Sequence, residues 1–91
     1  MKKLVKVEEV EGEGFVALMG ETVTLFCSNY IYAGKLVGVN DTFVKLENPH
    51  VVYETGDFSS HSFKDAQKVT SGAWYVRVEF IESFGLLKEL K

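Results

Sequence analysis

Apolar residues recur at every second position along most of this chain, and that spacing is typical of β-strands with one buried face. Within Glu21–Cys27, for example, Val23, Leu25 and Cys27 fall on one face. The alternation is clearest in Trp74–Phe80. We therefore predict an all-β domain whose five short strands form a small antiparallel barrel. The predicted strands are Glu21–Cys27, Tyr30–Val39, Thr42–Leu46 continued by Val51–Glu54, Trp74–Phe80 and Ile81–Phe84.

Two glycines, Gly34 and Gly38, lie inside the second and longest predicted strand. A glycine within a strand marks a bulge, a sharp bend or a close approach of another backbone. We predict that both glycines let this strand bend around a small barrel, so that a side chain at either position destabilises the fold. Pro49 has no N–H to donate to a ladder, which predicts an edge or a bulge at Asn48–Pro49.

The rest of the chain divides around this barrel. We predict an N-terminal arm over residues 1–14, one domain over residues 15–85 and a C-terminal tail over residues 86–91. Phe15–Met19 is predicted as a short helical turn that Gly20 stops. The polar stretch 55–72 is predicted as a variable connection, and Ser62–Asp65 fits a capping box that begins one short helical turn.

Size and charge narrow the class of protein further. The chain has 91 residues, which is enough for one hydrophobic core and too few for two. The formal net charge is −3, and Arg77 is the one arginine, whereas a dedicated nucleic-acid binder usually carries a basic surplus. No apolar run reaches the roughly 18 residues of a membrane span. Cys27 stands alone, which excludes an internal disulfide and favours a cytoplasmic location.

Residues with catalytic chemistry occur, but their arrangement favours structural roles. Asp57–Asp65 contains aspartate, serine and histidine, yet a catalytic triad is assembled from separate loops, so we interpret this stretch as a solvated loop. His50 and His61 have no carboxylate or thiolate at ligand spacing, which argues against a metal site. Cys27 continues the buried face of its strand and is interpreted as a small hydrophobic residue. We predict no enzymatic activity and no cofactor.

One long stretch of the chain resembles a known family. Leu18–Leu25, Gly34–Asp41 and Phe43–Asn48 together resemble the first motif of the Sm-like proteins, which include the Sm, LSm and Hfq proteins. Trp74–Gly85 lies where the second motif of that family would be. The resemblance covers roughly residues 15–84, and the chain looks most like small Sm-like proteins encoded by phage and bacterial genomes.

The resemblance implies a helix followed by a five-stranded, strongly bent SH3-like or Sm-like barrel that assembles into a homo-oligomeric ring of five to seven subunits. The fourth strand of one subunit would pair with the fifth strand of its neighbour, which suits the edge problem of a short apolar final strand. The interface residues implied are Trp74, Val76, Val78, Phe80, Ile81 and Phe84.

The resemblance also implies binding of uridine- or adenine-rich single-stranded RNA at the pore of the ring. The residues implied are Asn40, Asp41, Thr42, Phe43 and Arg77. Departures from the family pattern accompany them: the family's base-contacting asparagine has Phe43 or Val44 in its place, and its Arg-Gly pair is Arg77–Val78. We therefore expect weak RNA binding at the pore of a cytoplasmic ring, in a host cell if the chain is phage-encoded. The alternative is a structural ring that binds protein and no RNA.

Overall fold

A computed structural model describes residues 13–88 of the chain. The predicted arm lies outside the described residues except for its last two positions, and so do residues 89–91 of the predicted tail. Residues 13–88 form one helical turn, six strands and one 3-10 helix, so the all-β class is confirmed and one strand more than predicted is present. The elements are α1 Gly14–Ala17, β1 Thr22–Cys27, β2 Ile31–Val39, β3 Phe43–Glu54, β4 Asp65–Lys68, β5 Trp74–Arg77, the 3-10 helix Val78–Phe80, and β6 Ile81–Gly85.

The six strands form one antiparallel sheet in the order β4-β3-β2-β1-β6, and β5 pairs with the first residues of β3. From β5 through β3, β2 and β1 to β6 a flat sheet would span about 19 Å. Yet β5 and β6 are joined by only three residues, a link that reaches roughly 14 Å. The sheet must therefore curl. Within residues 13–88, β5 and β6 do not pair with each other, so the curled sheet stays open between them.

The sharpest irregularity of the sheet lies where β3 passes Gly34 of β2. Two residues of β3, Asn48 and Pro49, stand opposite this single glycine, which makes a β-bulge. Asn48 adopts a positive φ of 50°, a conformation that asparagine tolerates well. The bulge pushes β3 against β2, and a Cβ at Gly34 would lie 3.0 Å from the carbonyl oxygen of Glu47. The predicted bulge at Asn48–Pro49 is thus present, within one continuous strand.

The core consists of two clusters on opposite faces of β2 and β3. Leu25 pairs with Tyr32 on one face, and the neighbouring pair, Thr24 with Ala33, points to the other. The larger cluster contains Val23, Leu25, Leu36, Val44, Leu46 and Val76. The smaller cluster contains Ala33, Val52 and Phe63. Because Phe63 comes from the stretch between β3 and β4, the predicted variable connection supplies part of the core.

That connection differs from the prediction in a second respect. The helical turn predicted from the capping box of Ser62–Asp65 is wrong, because Asp65–Lys68 forms strand β4 on the edge of β3. A single helical turn gains few hydrogen bonds for the residues it orders, whereas the open edge of β3 offers a ready row of partners. Burial of Phe63 brings the segment to that edge.

The strand predicted over Trp74–Phe80 ends at Arg77, and Val78–Phe80 forms the 3-10 helix instead. Two backbone hydrogen bonds hold this corner: Val78 N–H donates to the carbonyl of Thr42 at 2.9 Å, and Ser28 N–H donates to the carbonyl of Phe80 at 3.0 Å. At the other end, the predicted helical turn is present at Gly14–Ala17. Its Phe15 ring stacks on Phe84 of β6 with the ring centroids 3.9 Å apart.

Candidate functional site

The turn between β2 and β3 carries three of the predicted RNA-binding residues and is organised by Asn40. The Asn40 Oδ1 atom accepts hydrogen bonds from the backbone N–H groups of Thr42 and Phe43, at 2.8 and 2.9 Å. The backbone N–H of Asn40 donates to the carbonyl of Phe43 at 3.0 Å. These bonds use the amide oxygen inside the turn, so only the NH2 group of the Asn40 side chain is left to contact a ligand.

Beside this turn, the paired strands β3 and β5 present two aromatic rings and two cations on one outer face. Phe43 lies opposite Arg77, and Lys45 lies opposite Tyr75. The Phe43 and Tyr75 rings meet edge to face with their centroids 5.2 Å apart, and the Lys45 ammonium lies 5.9 Å from the centroid of Tyr75. We call these four residues the ribbon face. They combine rings that can stack on planar groups with charges that can meet anions.

The positive charge of the ribbon face is partly offset. The Arg77 guanidinium forms an ion pair with Glu79 at 2.6 Å and lies 5.8 Å from the centroid of the Phe80 ring. Both charged side chains are well exposed, so the pair is weak and salt-screened. A phosphate at this position would compete with the carboxylate of Glu79 for the guanidinium.

The structure brings the predicted RNA-binding residues together. Asn40, Asp41 and Thr42 form the turn, and Phe43 begins β3 directly after it. The bond between Val78 N–H and the Thr42 carbonyl joins that turn to the end of β5, next to Arg77. The sequence-based prediction assigned neither Lys45 nor Tyr75 to this surface. Alternation along each strand predicts that Lys45 and Tyr75 point away from the core. Only the register of β3 against β5 shows that the two residues are opposite each other.

The predicted interface residues divide between surface and core. Val76 is buried in the larger core cluster and is not on the surface. Side chains alternate along β5, and this one lies on the inner face of the curled sheet. Val78 and Ile81 are half-buried against the same cluster. Trp74, Phe80 and Phe84 are exposed, with Phe84 covered on one side by Phe15.

An aromatic groove lies beside β5, lined by Tyr30, Tyr32, Trp74 and Phe80, with a volume of about 260 Å³. Cys27 lies at its wall, half-buried. Burial raises the pKa of the Cys27 thiol, and the carboxylate of Glu82 raises this pKa further. The thiol is therefore protonated at neutral pH, which agrees with a packing role and not a nucleophilic one.

The loop that carries aspartate, serine and histidine is organised as a turn. The Asp57 carboxylate accepts hydrogen bonds from the backbone N–H of Ser59 at 2.9 Å and from its hydroxyl at 2.8 Å. These bonds lower the pKa of Asp57, and the Lys88 ammonium acts in the same direction. Across residues 13–88, no group of three or more histidine, cysteine or acidic residues is placed to hold a metal ion.

The comparisons with known proteins return no match, because no family model, curated protein or solved structure is significantly similar to the chain. None of the helices in the described part of the chain has the length and apolar character to cross a membrane.

Proposed function

We propose that this chain is a non-enzymatic, Sm-like ring protein that assembles by pairing the open edge of β5 in one copy with the open edge of β6 in the next. The observation that carries this proposal is the open sheet. Within the described residues, β5 pairs only with β3, and β6 pairs only with β1. Unpaired strand edges are templates for another strand, and proteins cover or pair them. A neighbouring copy would complete the barrel that one chain leaves open.

The side chains around these edges support the proposal. Trp74 and Phe80 are exposed at the ends of β5 and the 3-10 helix, and Tyr30 extends the apolar surface across the aromatic groove. Exposed aromatic surface of this kind marks interaction sites more often than free surface. A domain of this size also buries too little of its own surface to be more than marginally stable, so assembly adds to its stability.

The two edges differ, which determines the symmetry of the assembly. Each copy would use β5 on one side and β6 on the other, so the interface joins two different surfaces. Such head-to-tail contacts form a ring when the rotation between copies closes, and a filament when it does not. The resemblance to the Sm-like family favours closure at five to seven subunits.

The variant Phe80→Asp tests the assembly. The wild-type chain should sediment as a particle of five to seven copies of the 10.2 kDa monomer. Phe80 is 48% exposed, so an aspartate there leaves the monomer folded. In the interface, however, it would bury a carboxylate without a partner, which costs several kcal/mol. We expect the variant to sediment as a monomer at micromolar concentration.

Tyr53→Asp is the matched control, because Tyr53 is 62% exposed and lies in the part of β3 that pairs with β4, away from β5. This control should sediment as an oligomer of the same mass as the wild type. A wild-type chain that is monomeric at micromolar concentration would contradict the proposal. So would a Phe80→Asp variant that keeps the oligomeric mass while its melting curve shows it folded.

Weak binding of single-stranded RNA is a second candidate function, and the ribbon face favours it. Phe43 and Tyr75 offer surfaces for stacking, and Lys45 and Arg77 offer charges for phosphates. The net charge of −3 opposes this binding, and an assembly multiplies it with every copy. We therefore propose that RNA binds at low salt and dissociates at physiological salt, because the favourable term is electrostatic.

A fluorescence-anisotropy titration with oligo-U and oligo-A at two salt concentrations measures this binding. Tyr75→Ala should weaken it about fivefold or more, since one stacked base contributes roughly 1–3 kcal/mol. Arg77→Ala should weaken it and reduce the salt slope by about one. Lys64→Ala removes an exposed cation outside the ribbon face and should have a smaller effect. If no RNA binds even at low salt, the alternative of a structural ring without RNA binding is favoured.

A further inference from the structure

Lys88 is the most deeply buried charged side chain of the described residues, at 5% exposure. Its ammonium donates hydrogen bonds to two backbone carbonyl oxygens of the loop after β3, that of Thr55 at 2.5 Å and that of Asp57 at 2.6 Å. A buried charge is costly unless such partners surround it. The loop therefore binds an ammonium group from a segment more than 30 positions further along the chain.

Aromatic rings complete the surroundings of this ammonium. Lys88 Nζ lies 5.3 Å from the ring centroid of Phe63 and 5.8 Å from that of Phe58. Carbonyl oxygens and aromatic faces are the groups that recognise a cation with several N–H donors. We call this set the ammonium cage: the carbonyls of Thr55 and Asp57 and the rings of Phe58 and Phe63.

The cage is held together by contacts that do not involve Lys88. Phe63 is anchored in the smaller core cluster with Ala33 and Val52. The Asp57 carbonyl also accepts a hydrogen bond from the Ser60 N–H at 3.0 Å, and the Thr55 carbonyl accepts one from the Lys64 N–H at 3.4 Å. The Phe63 ring and the two carbonyls would therefore keep their positions if the Lys88 side chain left, and the cage would then be open to another ammonium.

A cavity beside the cage has room for the rest of a ligand. Its volume is about 680 Å³, and it is open to solvent. Glu21 and His61 contribute polar groups to its wall, and Leu86 and Leu87 contribute apolar ones. An alkyl chain could follow the leucines while its charged end enters the cage.

We propose that the ammonium cage is a binding site for alkylammonium groups, and that Lys88 is its internal occupant, which an external ligand must displace. The ligand would be a lysine side chain of another protein or a free polyamine, since both present the same charged alkyl end. Because a tethered group competes at high effective concentration, the wild-type chain binds such ligands weakly until the Lys88 side chain is displaced, with Leu86 and Leu87 still in place. The proposal concerns a surface separate from β5 and β6 and does not depend on assembly or on RNA.

The variant Lys88→Ala empties the cage and tests the site. By NMR titration, n-butylammonium should bind this variant in roughly the millimolar range, with shifts at Phe58 and Phe63. It should bind the wild type at least tenfold more weakly, and the neutral analogue n-butanol should bind neither. Lys64→Ala, which removes an exposed lysine near the loop, should behave as the wild type. Adding Phe58→Ala to Lys88→Ala should abolish binding.

Two further ligands distinguish the sources. Tighter binding of Nα-acetyl-lysine amide than of spermidine would identify a protein lysine, and the reverse order would identify a polyamine. If folded Lys88→Ala protein does not bind n-butylammonium, the proposal is overturned.

If that variant does not fold, labelling of the wild type with acetic anhydride tests whether the ligand displaces Lys88. Lys88 should be acetylated at least tenfold more slowly than exposed Lys68. Because the ligand's own amine consumes anhydride, the readout is the ratio of Lys88 to Lys68 acetylation in the same sample. Added n-butylammonium should raise this ratio, and an unchanged ratio would overturn the proposal.

Discussion

Replacing Gly34 by valine is expected to lower the free energy of unfolding by about 3 kcal/mol or more. A Cβ at this position would lie 3.0 Å from the Glu47 carbonyl oxygen, 3.2 Å from Leu46 Cβ and 3.3 Å from Pro49 Cα. None of these atoms is the end of a flexible side chain, so β2 and β3 must separate to admit it. Overpacking of this kind costs about 1–3 kcal/mol for one added methyl group and more for the branched side chain of valine. The total free energy of unfolding of a domain of this size is only about 5–15 kcal/mol.

The measurement is the midpoint of urea or thermal unfolding for Gly34→Ala and Gly34→Val. Because about 1 kcal/mol shifts the melting temperature of such a domain by roughly 4–8 °C, the alanine variant is already distinguishable from the wild type. Protein concentrations must match, since assembly would stabilise the folded state. A valine variant with the melting temperature of the wild type would contradict close packing of β2 against β3 at Gly34.

Gly38→Ala is the control, because a Cβ at Gly38 would make ordinary contact with Lys45 Cβ at 3.4 Å. We expect its unfolding midpoint to change little, which revises the prediction from the sequence that a side chain at either glycine destabilises the fold. The sequence pattern treats the two glycines alike, since both lie inside one long apolar strand. They differ through their partners: Gly34 faces the bulge at Asn48–Pro49, while Gly38 pairs with Lys45 where the extra residue, Val37, lies in β2 itself.

The strands were predictable because alternation is a local property, whereas register is not. The alternation in Trp74–Phe80 indicates a strand, and β5 begins where that pattern begins. Its end at Arg77 depends on the bond from Val78 N–H to the carbonyl of Thr42, more than 30 positions away. The shared surface of Tyr75 and Lys45 likewise depends on strand register, which the local sequence does not show. Their pairing follows from how β3 meets β5 and leaves no mark on either segment alone.

In the connection over residues 55–72, a local sequence motif predicted a helical turn that tertiary packing prevents. The capping box at Ser62–Asp65 favours a helix, but its advantage is a few hydrogen bonds. Phe63 lies inside that motif, and burying its ring on Val52 and Ala33 outweighs the local preference. The stretch holds two phenylalanines, of which Phe58 is exposed and Phe63 is buried, and the sequence does not show which of the two packs against the sheet.

Phe63→Ala measures how much that segment contributes. Phe63 is 9% exposed and is the largest side chain of the smaller core cluster, so its removal leaves a cavity between the loop and the sheet. Truncations of a buried phenylalanine cost about 3–5 kcal/mol. We expect a loss of this size in the free energy of unfolding, which would make the variant the least stable of the single truncations in the loop.

Phe58→Ala is the matched control from the same loop, because Phe58 is 62% exposed and contacts the Lys88 ammonium rather than the core. Its effect should stay below about 1 kcal/mol, the range of an exposed cation–π contact. Equal effects of the two truncations would mean that the connection is a surface segment, as the sequence indicated.

Hydrogen exchange in Phe63→Ala distinguishes global from local loss. Ala33 and Val52, which contact Phe63, lie on β2 and β3, and these same strands carry Leu36, Val44 and Leu46 of the larger cluster. Because the two clusters share their strands, we expect protection to fall together at β4 and at the centre of β2. Loss of protection confined to β4 would show that the smaller cluster unfolds as a separate unit, and that the larger cluster alone holds the curled sheet.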